Sequence, residues 1–114
     1  MEVTIYHNPR CRKSREALAL LEEKKCNIKI VEYLKDTLSL DSLSSLIDEL
    51  QIQPIELVRR NEAIWKEGFK NRELSDKEII KAMVENPKLI ERPIVKSKKG
   101  VVIGRPLEKV MEVI

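Results

Sequence analysis

The chain has 114 residues, 42% hydrophobic and 36% charged, with 22 basic against 19 acidic side chains and a net charge of +3. That length suits one compact domain with one core, and the composition is globular rather than disordered. No apolar run approaches the roughly 18–20 residues of a membrane span, and the interspersed charges argue against a dedicated nucleic-acid surface.

The start, Met1-Glu2-Val3-Thr4-Ile5, lacks the basic n-region and apolar stretch of a signal peptide, so a cytoplasmic location is the default expectation. Two cysteines, Cys11 and Cys26, are too few for a disulfide scaffold, and one histidine leaves no zinc site.

In chain order, Glu2 to Tyr6 reads as a strand. Ala17, Leu18 and Leu21 recur at helical spacing and predict a helix near 13–25, and residues 28–32 predict a second strand. This βαβ unit implies parallel strands and a right-handed crossover. Leu40, Leu43, Leu46, Ile47 and Leu50 mark one apolar helical face. Pro54 opens a short helix expected to carry Leu57, Val58, Arg59 and Arg60. Residues 61–74 read as polar and irregular, with Gly68 as a helix stop.

Ser75-Asp76-Lys77-Glu78 is a capping box before Ile79, Ile80, Met83 and Val84, and Asn86-Pro87 ends that helix. Pro93–Lys96 and Val101–Ile103 predict an antiparallel hairpin about a Ser97–Gly100 turn. Pro106 suits the first turn of a last helix, whose expected apolar face is Leu107, Val110, Met111 and Ile114. Strands at both ends of the chain must then share one sheet. The expected fold is α/β, thioredoxin-like, with a mixed sheet, over a single domain 1–114 carrying an all-helical insertion at about 36–88.

The chemistry concentrates at Cys11. It lies in His7-Asn8-Pro9-Arg10-Cys11-Arg12-Lys13-Ser14-Arg15, where the first strand gives way to a helix. Pro9 stops the strand and restricts Asn8. Free N–H groups, the helix dipole and the flanking cations all favour thiolate over thiol. A pKa lowered by about two units corresponds to roughly 2.7 kcal/mol of preferential thiolate stabilisation. Cys26 reads as a packing residue, with a resolving thiol as the alternative.

Ser14 either donates to the thiolate or caps the helix. His7 either supplies positive charge or holds the loop by hydrogen bonds, and Asn8 shapes the turn. A thiolate meeting an oxyanion needs neutralising cations. The C-x5-R solution is absent because Ala17 fills the sixth position, so the arginines come from elsewhere: Arg59 (or Arg60), Arg92 and Arg105. Arg92 and Arg105 each precede a proline, a setting that aims a side chain, and guanidinium forks bind tetrahedral oxyanions bidentately.

Four motifs in order resemble the ArsC family of arsenate reductases, in its YfgD-like branch. They are His7 to Arg15, Leu57-Val58-Arg59-Arg60-Asn61, Asn86 to Val95, and Gly104-Arg105-Pro106. The resemblance implies a glutaredoxin-like fold and Cys11 as catalytic nucleophile. It implies His7 as the histidine that helps depress the thiol pKa, and Arg59, Arg92 and Arg105 as the oxyanion-binding set. Pro93 matches a cis-proline that faces the cysteine.

It also implies arsenate or a similar oxyanion as substrate, glutathione as co-substrate, glutaredoxin as partner, and no bound cofactor or metal. Arg12-Lys13 stands where well-studied members carry Gly-Thr. Those cations either tighten anion binding or narrow the pocket and change the substrate. Two rivals follow from the same residues. One is a glutaredoxin-like thiol–disulfide oxidoreductase, which needs no three arginines. The other is an Spx-like RNA polymerase-binding regulator, whose usual C-x-x-C switch cannot form with Ser14 in place of the second cysteine.

Overall fold

Val3 and Ile5 alternate with Glu2 and Thr4, and this period of two turns one side of the first strand into a core. The computed structural model describes residues 1–114. Its elements are β1 (Glu2–Tyr6), α1 (Arg12–Glu23), β2 (Asn27–Val31), α2 (Leu40–Leu50), α3 (Ala63–Gly68), α4 (Asp76–Glu85), β3 (Ile94–Ser97) and β4 (Gly100–Ile103). Short 3-10 segments lie at Pro54–Leu57, Pro87–Leu89 and Leu107–Val113. Two compact units result: Met1–Asp36 with Arg92–Ile114, and Thr37–Glu91.

The first unit holds a mixed sheet in the order β2-β1-β3-β4. β1 runs parallel to β2 and antiparallel to β3, and β3 pairs antiparallel with β4. This is the thioredoxin-like α/β plan expected from the element order. Val3, Ile5 and Val95 pack against Ala17 and Leu21 of α1 and against Val110 and Val113. Leu21 is fully buried there. Leu21→Ala is expected to cost about 2–5 kcal/mol, the range for emptying a leucine site that relaxes only in part, read from the urea midpoint at constant slope.

Helix α1 ends without a glycine. Lys25 takes the left-handed conformation at φ 58°, and the Cys26 N–H reaches back to the Leu21 carbonyl at 3.1 Å, closing the turn. Cys26 then packs partly buried beside the core. Twelve residues of helix place roughly 18 Å between Cys11 and Cys26, against a disulfide reach of about 7 Å between Cα atoms. Cys26 is therefore no intramolecular resolving thiol in this fold.

The last helix differs from expectation. It is a 3-10 helix, and Pro106 precedes it in extended geometry instead of entering its first turn. With three residues per turn, side chains three apart share a face. Val110 and Val113 are thus buried, while Met111 is 46% exposed.

In the second unit the Ser39 hydroxyl accepts the Ser42 N–H at 3.0 Å and starts α2. At α4 the reciprocal box is complete: Glu78 N–H to Ser75 Oγ at 3.2 Å, and Ser75 N–H to Glu78 Oε1 at 3.0 Å. Two readings need correcting. The Pro54 helix stops at Leu57, because Val58 turns extended and bridges Ile90, so Arg59 and Arg60 lie outside it. Residues 61–74 are not wholly irregular either. They contain α3, with Gly68 as its last residue, and its buried Trp65 stacks on Phe69 at 5.5 Å. This unit ends at Glu91 where about 88 was expected, since the bridge holds Ile90 and Glu91 N–H bonds the Leu57 carbonyl at 2.8 Å. No helix in the chain is long and apolar enough to cross a membrane.

Candidate active site

The sheet register brings distant segments to one edge. Tyr6 at the end of β1 pairs with Ile94 at the start of β3, and Ile94 pairs with Ile103 at the end of β4. The loop to α1, the Arg92-Pro93 entry and the Gly104-Arg105 exit must therefore emerge together. Both arginine–proline peptide bonds, Arg92-Pro93 and Arg105-Pro106, are cis.

Cys11 is the N-cap of α1, with φ −94° and ψ 120°, and 8% of its surface is exposed. The loop before it is tied down locally. Cys11 N–H bonds the Asn8 carbonyl at 3.0 Å, Arg10 N–H bonds Asn8 Oδ1 at 3.0 Å, and the Arg15 guanidinium bonds the Pro9 carbonyl at 3.0 Å. Asn8 thus shapes the turn with both its backbone and its side chain.

Ser14 does neither of the things expected of it. Its fully buried hydroxyl accepts the Asn8 N–H at 3.0 Å and lies 2.6 Å from His7 Nδ1, so it locks the loop instead of touching the sulfur. What faces the sulfur is the backbone N–H of Ser14. His7 is 5% exposed. Burial is the main influence and lowers its pKa, the Glu32 carboxylate opposes this, and the Arg15 charge adds to it. A neutral imidazole results at pH 7, which favours the loop-holding role over the cationic one.

Burial pushes the Cys11 thiol up and is the largest single influence on it. The Ser14 N–H, the Arg92 charge, the Lys13 N–H and a hydrogen bond from Arg92 together outweigh it, so the pKa falls below the ordinary thiol value. No first-turn N–H closes a full capping hydrogen bond to the side chain; these dipoles act by pointing toward it. Arg105 adds a direct contact, Nη2 to Sγ at 3.6 Å, while its Nε donates to the Arg92 carbonyl at 2.7 Å.

Gly104, just before Arg105, packs closely on Pro93 and Val110. A Cβ there would meet Pro93 Cγ and Val110 Cγ2, each at 3.1 Å. Alkylation of Cys11 by iodoacetamide is expected to reach half its maximal rate below the free-thiol pKa of about 8.5. A rate–pH profile with its midpoint at or above that value would count against the thiolate.

The structure thus gathers Cys11, His7, Ser14, Arg92 and Arg105 at one end of the first unit. Arg59 belongs to the second unit. There its guanidinium bonds the Lys88 carbonyl at 3.3 Å and pairs with Glu62 at 3.7 Å, and its N–H bonds the Leu89 carbonyl at 2.7 Å. Arg60 is exposed. The free N–H groups expected at the helix start are those of Lys13 and Ser14. The N-cap position of Cys11 was the signal for both.

The family model described as ArsC family matches residues 6–113. The chain is 44% identical to the uncharacterized protein YfgD of Escherichia coli (strain K12), with 99% of this chain and 97% of that one covered. It is 42% identical to the arsenate reductase of Haemophilus influenzae, with 100% of each covered. Among solved structures, the arsenate reductase from Vibrio cholerae matches with a TM-score of 0.94 at 41% identity, covering 100% of this chain and 98% of that one. With the family model matched from Tyr6 to Val113, and relatives of this identity aligned from end to end, the chain belongs to the ArsC family.

Proposed function

We propose that this chain reduces arsenate to arsenite through a covalent Cys11 adduct, with glutathione and a glutaredoxin-type protein as electron source. The observation that carries the reading is one sulfur, lowered in pKa, with the Arg105 guanidinium 3.6 Å away and Arg92 beside it. The relatives named arsenate reductase support it.

The Cys11 thiolate forms an S–As bond, and one arsenate oxygen leaves with protons as water. Arg92 and Arg105 stabilise the charge on the remaining oxygens. A glutathione thiol then adds to the arsenic and displaces a second water. The glutaredoxin thiolate attacks the glutathione sulfur, forming a mixed disulfide, while the electron pair of the broken S–As bond stays on arsenic. Two thiols are oxidised and As(V) becomes As(III). Hydrolysis releases arsenite and restores Cys11. Thiols alone balance this chemistry, so it requires no metal or bound cofactor, and a reducing cytoplasm would supply the reductant.

His7 and Ser14 hold the loop in place. Arg59 enters on the family resemblance alone, as a third oxyanion-binding residue. A glutaredoxin-like disulfide exchange would use the same sulfur, but the two arginines held beside it suit a tetrahedral oxyanion better. Arsenite production by the purified protein with arsenate, glutathione and glutaredoxin tests the reading. Disulfide exchange without arsenite would replace it with the oxidoreductase.

A further inference from the structure

The cations around Cys11 fall into two groups. Arg92 and Arg105 are turned toward the sulfur. The others stand on the solvent side, flanking the nucleophile in the chain. Arg15 is spent on the Pro9 carbonyl, and Arg12 is held by an exposed i,i+4 pair with Glu16 at 3.1 Å, its side chain 84% exposed. Arg10 and Lys13 are exposed, and neither side chain has a hydrogen bond or ion pair. They are one residue before and two residues after Cys11. Two long, exposed cations without partners thus flank the nucleophile in the chain, beyond the pair of arginines that the proposed oxyanion chemistry uses.

We infer that Arg10 and Lys13 select the second thiol of the reaction by its carboxylates, so that the sulfur reagent reaching Cys11 is a small anionic thiol of the glutathione type. This rests on the reading of Cys11 as the nucleophile of a thiol-dependent reduction. Such a thiol brings its sulfur to the arsenic, or to Cys11 itself, with free carboxylates on the same small molecule. Exposed cations attract those carboxylates through solvent, which raises the encounter rate and makes it salt-dependent.

A reaction without arsenate isolates the inference. Reduced Cys11 attacks glutathione disulfide, forming the Cys11–glutathione disulfide and expelling one glutathione thiolate. Its rate is compared with that for 2-hydroxyethyl disulfide, which carries no charge. Dividing the two rates removes any change in the nucleophilicity of Cys11 itself. The charge-reversed Arg10→Glu/Lys13→Glu protein is expected to lower that ratio by about tenfold or more, and salt is expected to compress the wild-type ratio. Arg10→Lys/Lys13→Arg should keep it.

Both substituted side chains are exposed, so the fold is expected to survive, and circular dichroism checks this. An unchanged ratio in the charge-reversed protein, or a wild-type ratio indifferent to salt, overturns the inference. The arsenite assay reports separately on the reductase reading. Arsenite formed with an unchanged disulfide ratio sinks only the role of Arg10 and Lys13, and a falling ratio without arsenite sinks only the reductase.

Discussion

Cys11→Ser is expected to abolish arsenite formation, by about 10⁴-fold or more, the scale on which removing a covalent nucleophile acts. A serine hydroxyl does not ionise near neutral pH, and no base is placed to activate one. His7 Nδ1 is engaged with Ser14, and its imidazole is buried away from solvent. The substitution should not harm the fold. Cys11 makes no side-chain capping bond, whereas serine is among the preferred N-caps. A gain of up to about 1 kcal/mol is expected instead, read from the urea midpoint. Loss of arsenite with unchanged or raised stability supports the assignment. Residual activity within tenfold of wild type would remove Cys11 from the chemistry.

The second large effect is expected at the arginines. Arg105→Ala removes the direct contact to the sulfur and strips the Arg92 carbonyl of the donor that holds it at 2.7 Å. Losing one preorganised donor to a developing oxyanion costs about 10²–10³ in turnover. Arg92→Ala acts on the nucleophile as well. Its charge and hydrogen bond lower the Cys11 pKa, so deleting them raises it. At pH 7 the thiolate fraction then falls, and the alkylation midpoint moves to higher pH. Turnover against arsenate concentration and the alkylation profile separate the two roles. If both variants keep wild-type kinetics, neither arginine belongs to the site. Arg59→Ala in the same assay measures what the third arginine adds.

Much of the local structure was legible because local physics sets it. The β1 alternation, the helix after Pro9 and the Ser75-Glu78 box depend on residues within a few positions of one another, and the structure holds them all. The elements misread depend on partners elsewhere. Val58 leaves its helix because it meets Ile90. The last helix tightens to three residues per turn, burying Val113 where an α-helical pattern had favoured Met111. Helix α3 is six residues long, too short for a periodic signal, and is marked by the burial of Trp65.

The site divides along the same line. The sequence by itself determined that Cys11 would head a helix among cations, since an N-cap, a helix dipole and neighbouring charges are all consequences of chain order. Only the tertiary structure decided which arginines meet it: the β1–β3–β4 register carries Arg92 and Arg105, more than eighty residues downstream, to the end of β1. It also decided that burial lowers the His7 pKa and that the Ser14 hydroxyl faces the loop. The protonation of an imidazole follows from its burial and the partner of a hydroxyl from what packs beside it, and neither exists until the chain has folded.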